Sequence, residues 1–399
     1  MTPAELSRAV QRAVRGAVAD GELSVTVPER VVVRAPMPGE GGGGETDLAC
    51  NVALRIAKEA GRPPREVAEV LRRRLVGLPG VGGVEIAGAG FLNVMLTRTA
   101  RAELVREVRC GRALRQEQGK RFEPAAVTPV ILRAAEGVRA AVVVEALGRI
   151  LPAGGVEGRG KAEVGEKARV EVIRPRPVEV RCEGGAPYAG AVGAVRPGDT
   201  AGTVRTREAA DAGTAENLEA FAASTSARQE WRTLTTRLGP DEARWVLLRA
   251  AQHDVVRLPV RPVQRESNGR FRVQYAYART CAMTRNAREL GFAGEPGDVG
   301  AGAGGGWDVR EVREVWAAIA EYPGVVEAAA RHRAPDRVAR HLEVTADAWL
   351  RCHDVCPPLP VGEEKPSAVH RARLALAEAA GTVLAHGLHL LGISTPERL

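Results

Sequence analysis

Within Asn268-Gly269-Arg270-Phe271-Arg272-Val273-Gln274-Tyr275-Ala276-Tyr277-Ala278-Arg279, the pair Tyr275 and Arg279 stands four residues apart. On a helix such residues are neighbours, so an aromatic ring sits beside a guanidinium. This pair suits the unstacked bases of a single-stranded loop, which are read by stacking and by edge hydrogen bonds. The plainer alternative packs Tyr275 into a bundle and pairs Arg279 with a carboxylate. Two other groupings fall short of chemistry. Cys352-His353-Asp354-Val355-Cys356 puts two thiols on one helix face, but a structural zinc site needs four ligands and no second pair exists. Helix-end packing is its reading. Gly155-Val156-Glu157-Gly158-Arg159-Gly160-Lys161-Ala162 imitates the first part of a phosphate loop. It lacks the Ser or Thr that would hold Mg²⁺, and no clear strand precedes it. There is no Ser-His-Asp signature and no context for a nucleophilic cysteine. No metal and no resident cofactor are expected.

The elements that must carry these residues fall into three stretches. Residues 1–108 read as a compact α/β unit. Leu6, Val10, Val14 and Val18 line one face of a helix over Ala4–Val18, and Ser24–Arg34 alternates like a strand. A helix is expected over Asp47–Ala60, and Pro63-Pro64 ends it and opens the next, Arg65–Leu75. Val84–Ile86 and Phe91–Leu96 read as strands joined through glycines, with a closing helix from Thr97 to Val108. Residues 109–230 have one convincing helix, Ala140–Leu151, a weak hairpin signal over Glu171–Arg181, and much Pro, Gly and charge. Residues 231–399 read as helices over Pro240–Arg249, Val273–Leu290, Val309–Ala320, Val325–Ala330, Asp336–Cys352 and Ala368–Leu391, with a glycine-rich loop over Ala293–Gly306. The expected class is therefore α+β: a small N-terminal α/β domain, a degenerate α/β middle remnant and a C-terminal all-α helical bundle.

Composition agrees with several cores and a basic surface. The chain has 399 residues, 45% hydrophobic and only 4% aromatic, so its cores are mostly Val, Leu and Ala. Lys plus Arg number 57 against 49 Asp plus Glu, and lysine occurs only at Lys58, Lys120, Lys161, Lys167 and Lys365. Arginine therefore supplies nearly all the cations, and its fork grips phosphate in two places at once. A bias of composition toward Arg, Ala and Gly is the competing explanation. The six cysteines show no disulfide spacing, the N-terminal stretch is not a signal peptide, and no run reaches a membrane span. A reduced, cytoplasmic protein without a membrane partner is expected.

Several tracts resemble class I arginyl-tRNA synthetases. The end, Gly387-Leu388-His389-Leu390-Leu391-Gly392-Ile393 followed by Pro396-Glu397-Arg398, is similar to that family's C-terminus. Val273 to Arg279 resembles its Val-Gln-Tyr-Ala-His-Ala-Arg helix, with Tyr277 in place of His. Asp241-Glu242-Ala243-Arg244-Trp245, Tyr322-Pro323-Gly324-Val325-Val326 and Val338–Leu342 resemble further tracts of its anticodon-binding domain. Toward the N-terminus, Thr46–Ala53, Pro64–Ala68 and Val84–Asn93 resemble the domain that contacts the outer corner of the tRNA, with Ala89 where the family has Pro.

The resemblance implies three parts: 1–108 as the tRNA-corner domain, 109–230 as a shortened remnant of the catalytic domain, and 231–399 as the anticodon-binding domain. It implies tRNA-binding roles for Asn268, Gln274, Tyr275, Arg279 and Arg398 in the last part, and for Asn51, Phe91 and Asn93 in the first. Arg371, Arg373 and Arg398 read either as phosphate contacts or as solvated charges. The family's two ATP-phosphate motifs are missing. Aligning its first motif before the helix at Ala140 puts Ala134 and Gly137 where its two histidines belong, with Glu136 between them, and no Lys-x-Ser-Lys occurs anywhere. The implied function is a non-catalytic, tRNA (anticodon) binding relative, with an arginine tRNA as partner. The alternatives are an active arginine-tRNA ligase, which would use ATP, and a scaffold that docks a true synthetase or another protein.

Overall fold

The computed structural model describes residues 1–36, 46–111, 114, 137–153, 181–182, 225–259, 264–300, 306–307 and 309–399. The phosphate-loop imitation at 155–162, nearly all of the Glu171–Arg181 hairpin and positions Ala134 and Glu136 lie outside them. The backbone gathers into two units. One comprises Met1–Ala113, Thr280–Gly324 and Ala348–Ala380, and the other Leu114–Arg279, Val325–Asp347 and Gly381–Leu399.

In the first unit, α1 (Pro3–Ala19) opens with a reciprocal cap in which Thr2 and Glu5 satisfy each other's backbone N–H groups. It buries Leu6, Val10, Val14 and Ala17. Four antiparallel strands follow, β1 (Val33–Arg34), β2 (Leu48–Cys50), β3 (Val81–Ala87) and β4 (Phe91–Leu96), in the order β1-β2-β4-β3. Helices α2 (Val52–Ala60) and α3 (Pro64–Leu75) pack on this sheet and on each other, and α4 (Arg98–Arg109) closes the segment. Gly90 is held at φ +139, and a Cβ there would press on the Pro64 carbonyl, so the β3–β4 turn needs glycine.

Two expected elements come out differently here. Only Val33–Arg34 of the Ser24–Arg34 stretch is strand. Side chains take up its backbone instead: Ser7 donates to the Val31 carbonyl, Gln11 to those of Pro28 and Glu29, and Glu59 accepts from the Thr26 N–H. The α2 helix begins at Val52 rather than Asp47, because Leu48–Cys50 pairs with β4. Asp47 itself is buried and accepts from the Leu96 N–H at 2.7 Å and from Arg101 at 2.8 Å. Burial pushes its carboxyl pKa upward, and the Leu96 N–H and Arg101 oppose that shift.

The second unit carries α5 (Val138–Ala153), α6 (Thr225–Leu238) and α7 (Pro240–Arg249). A two-residue strand β5 (Arg181–Cys182) runs parallel to β6 (Arg257–Leu258). Four long helices complete the chain: α8 (Gly269–Glu289), α9 (Arg310–His332), α10 (Asp336–Val355) and α11 (Ala368–Leu390). The sequence suggested two helices around Pro323-Gly324, yet α9 runs through both. A proline inside a helix costs about 3 kcal/mol. Burial of Val315, Trp316, Ile319, Tyr322, Val326 and Ala329 along the same helix outweighs it.

A buried ionic knot lies at the heart of the second unit. Glu145 of α5 meets Arg149 at 3.1 Å and Arg244 of α7 at 3.4 Å. The Arg244 guanidinium lies 5.0 Å from the Trp231 ring centre, and Arg149 donates to the Leu390 carbonyl. Gly392, at φ +69, passes over this knot, and a Cβ there would collide with Arg149. Gly387 likewise lets α11 close on Leu342.

Candidate nucleic-acid interface

The first turns of α8 and α7 and the tail after α11 meet within the second unit. Asn268 precedes α8 and accepts the Phe271 N–H at 3.1 Å, as a capping side chain does. Its amide donates to Glu242 at 2.9 Å, and Arg270 binds the same carboxylate at 2.6 Å. Glu242 is buried, so this two-donor arrangement supplies what a buried carboxylate needs.

Gln274 is 1% exposed. Its carbonyl oxygen accepts from Arg270. Its amide donates to Asp241 at 3.1 Å and to the Ser394 carbonyl at 2.9 Å. The Ser394 N–H and hydroxyl in turn donate to Asp241. These residues form a clasp that fixes the tail against α7 and α8, and the Gln274 side chain is occupied within the fold.

One turn outward the surface changes character. Tyr275 is 39% exposed, and its ring stacks on Phe271 with centroids 6.1 Å apart and planes 20° from parallel. Phe271, Tyr275 and Arg279 follow at helical spacing, a stripe of two rings and a cation on one face. Arg272, beside it, is engaged with Asp347 at 2.7 Å and with the Glu266 carbonyl. Arg398 is exposed in the tail. The sequence marks Phe271 only by its Phe-x-x-x-Tyr spacing.

Of the N-terminal candidates, Asn51 is half-buried and stands at the start of α2, where its side chain makes no capping bond. Phe91 is half-buried at the start of β4. Asn93 is fully buried between Ala49 and Glu85 in the sheet, away from any ligand surface.

The Cys352 and Cys356 thiols are buried, and burial pushes Cys352 up to about 12. The His353 ring stands edge-on to Trp349 at 5.7 Å, so this helix end packs as an apolar one. Among the described residues no group of three or more His, Cys, Asp or Glu side chains is arranged to hold a metal. None of their helices is long and apolar enough to cross a membrane.

Known proteins match over both ends of the chain. Residues 4–96 match the arginyl-tRNA synthetase N-terminal domain, and residues 273–399 the DALR anticodon binding domain. The arginine–tRNA ligase of Frankia alni is 30% identical in an alignment of 561 positions that covers all of both chains. The chain belongs to the arginyl-tRNA synthetase family. The Paenarthrobacter aurescens ligase is 29% identical over 558 positions, again with both chains fully covered. Because this chain has 399 residues, a long part of each alignment has no counterpart in it. The fold is similar to that of the Thermus thermophilus arginyl-tRNA synthetase, with a TM-score of 0.57 at 15% identity and full coverage of both chains. The Plasmodium falciparum enzyme gives 0.55 at 9% identity, covering 100% of this chain and 99% of its own. The family's mixed helix-and-strand fold, with a helical anticodon-binding type of domain, is thus the architecture of this protein.

Proposed function

We propose that this protein binds tRNA, an arginine tRNA in the first place, without charging it. The observation that carries the reading is the exposed Tyr275 ring stacked on half-buried Phe271 at the head of the anticodon-type domain. In this reading Tyr275 and Arg279 face the unstacked bases with Phe271 behind them, while Asn268 and Gln274 position the helix and arginines such as Arg398 dock the phosphate backbone. Residues 1–108 serve as the tRNA-corner domain through the surface around Asn51 and Phe91. Residues 109–230 serve as a shortened remnant, and residues 231–399 as the anticodon-binding part.

In this reading the loss of catalysis follows from phosphate chemistry. Electrostatic stabilisation of transferring phosphoryl groups is usually the largest catalytic contribution. Gly137, aligned with a histidine of the family, has no side chain to offer. Arg139, two residues on, donates instead to the carbonyls of Ala250 and Ala251 at 2.8 and 2.7 Å. That cation is occupied at the end of α7. The full-length similarity to arginine–tRNA ligases favours a second reading, an active ligase using ATP.

A gel-shift titration of arginine tRNA against an unrelated tRNA, at low and physiological salt, tests the binding. Preference that persists at the higher salt supports it, since non-specific binding falls steeply with salt. Arginine-dependent exchange of pyrophosphate into ATP would establish the ligase instead.

A further inference from the structure

Arg333 is the only non-glycine with a left-handed φ, +52, among the described residues. It ends α9 in a motif where glycine is the favoured residue. The Ala334 N–H donates to the Ala329 carbonyl at 2.9 Å and the Arg333 N–H to that of Ala330 at 3.2 Å. Gln252 of the same unit holds the Arg333 carbonyl at 3.1 Å. In a chain with 45 glycines, the turn keeps an arginine in a conformation that costs an L-residue energy.

Two further arginines and a histidine stand beside it. Arg331, His332 and Arg337 are exposed. Among the described residues no side-chain hydrogen bond or close ion pair is seen for Arg331, His332, Arg333 or Arg337, although Arg337 attracts the Asp336 carboxylate beside it. Arg340, next on the outward face, meets Asp254 and Asp336. The dipole of α9 accounts for cations in its last turn, but not for Arg337, which lies in the first turn of α10, where a cation is disfavoured.

We infer that this turn, Arg331 to Arg337, is a second contact for the tRNA, gripping phosphates rather than reading bases. The inference rests on the tRNA-binding reading above. The tRNA-binding reading, together with the turn's place on the helix that Arg272 ties to the aromatic stripe, favours RNA over an acidic protein. Arg272, beside the aromatic stripe, binds Asp347 of α10, and Asp347 lies ten residues beyond Arg337, about 15 Å along the helix. On this inference a nucleic-acid strand laid on Tyr275 continues along α10 to the turn.

The test compares the full chain with R331Q/R337Q and with R333G, by tRNA titration over a salt series together with thermal unfolding. For R331Q/R337Q the slope of log affinity against log salt becomes shallower by about two. Affinity at physiological salt drops by about tenfold or more, equally for arginine tRNA and an unrelated tRNA. R333G weakens tRNA without losing thermal stability. An unchanged slope in the double variant, with wild-type binding intact, overturns the inference and leaves the tRNA reading standing. Absence of tRNA binding by the wild type overturns that reading itself. Retention of poly-L-glutamate that disappears in the double variant while tRNA binding stays the same assigns the turn to an acidic protein and also overturns it.

Discussion

In the proposed interface, Phe271 stacks against the Tyr275 ring and limits its rotamers. An unsupported tyrosine on a helix surface samples several rotamers and loses that freedom on stacking with a base. Stacking on an aromatic side chain contributes about 1–3 kcal/mol per base. Tyr275→Ala is expected to weaken tRNA by that amount, and Phe271→Ala by less, in the same gel-shift titration. Tyr275→Ala with Arg279→Ala should remove the preference for arginine tRNA, and unchanged affinity in that double variant would dismiss the stripe. The cysteines differ just as sharply. Burial pushes the Cys50 thiol up to about 11 and Cys352 up to about 12, whereas Cys110 is exposed. Maleimide labelling of the native protein, mapped by mass spectrometry, should modify Cys110 well before Cys50 or Cys352.

At the scale of elements, the clasp of Asp241, Gln274 and Ser394 is expected to govern stability rather than recognition. Gln274→Ala removes the buried amide and leaves its half-buried partners Arg270 and Asp241 short of a hydrogen bond, which should cost about 2 kcal/mol in denaturant unfolding, with tRNA preference retained. Arg333→Gly relieves a left-handed arginine and adds unfolded-state freedom, for a net gain of up to about 1 kcal/mol.

These elements also separate what the sequence revealed from what it concealed. The Phe271, Tyr275 and Arg279 stripe was legible because helical neighbours are set by local spacing. The burial of Gln274 was not, since its partner Ser394 is 120 residues away. From the local sequence Asp47 reads as the start of a helix. Arg101, 54 residues on, draws it into the core and leaves Leu48–Cys50 to the sheet. Pro323 looked like a terminator, and only tertiary burial around it keeps α9 continuous. Helix α6 begins before the stretch read as helical, at Thr225, because Trp231 and Ala227 gain burial that no local pattern announced.

For the whole molecule, the formal charge of +8 makes association with a polyanion depend on salt, and the two proposed contacts on the second unit divide that dependence. The Arg331–Arg337 turn should set the slope, and the Tyr275 stripe the residual preference at high salt. Acid should act through His386. Burial, reinforced by the charge of His389, lowers its pKa from 6.5 to about 4. The unfolded chain then binds the proton more readily than the folded one between those values, so the contribution is complete above pH 6.5 and declines as pH falls toward 4. It amounts to about 3 kcal/mol at most. His386→Leu should flatten the fall in thermal stability between pH 7 and 4 relative to wild type.

The ionic knot under Gly392 has a consequence for the order of synthesis. Arg149 and the Leu390 carbonyl that it binds are 241 residues apart. At translation rates of about 5–20 residues per second, α5 waits roughly 10–50 s on the ribosome for its lid. Throughout that interval Glu145, Arg149 and Arg244 cannot reach their final burial. The second unit is thus completed by residues made long after α5, and a nascent chain stalled before Gly387 would be a client for chaperones rather than a folded domain.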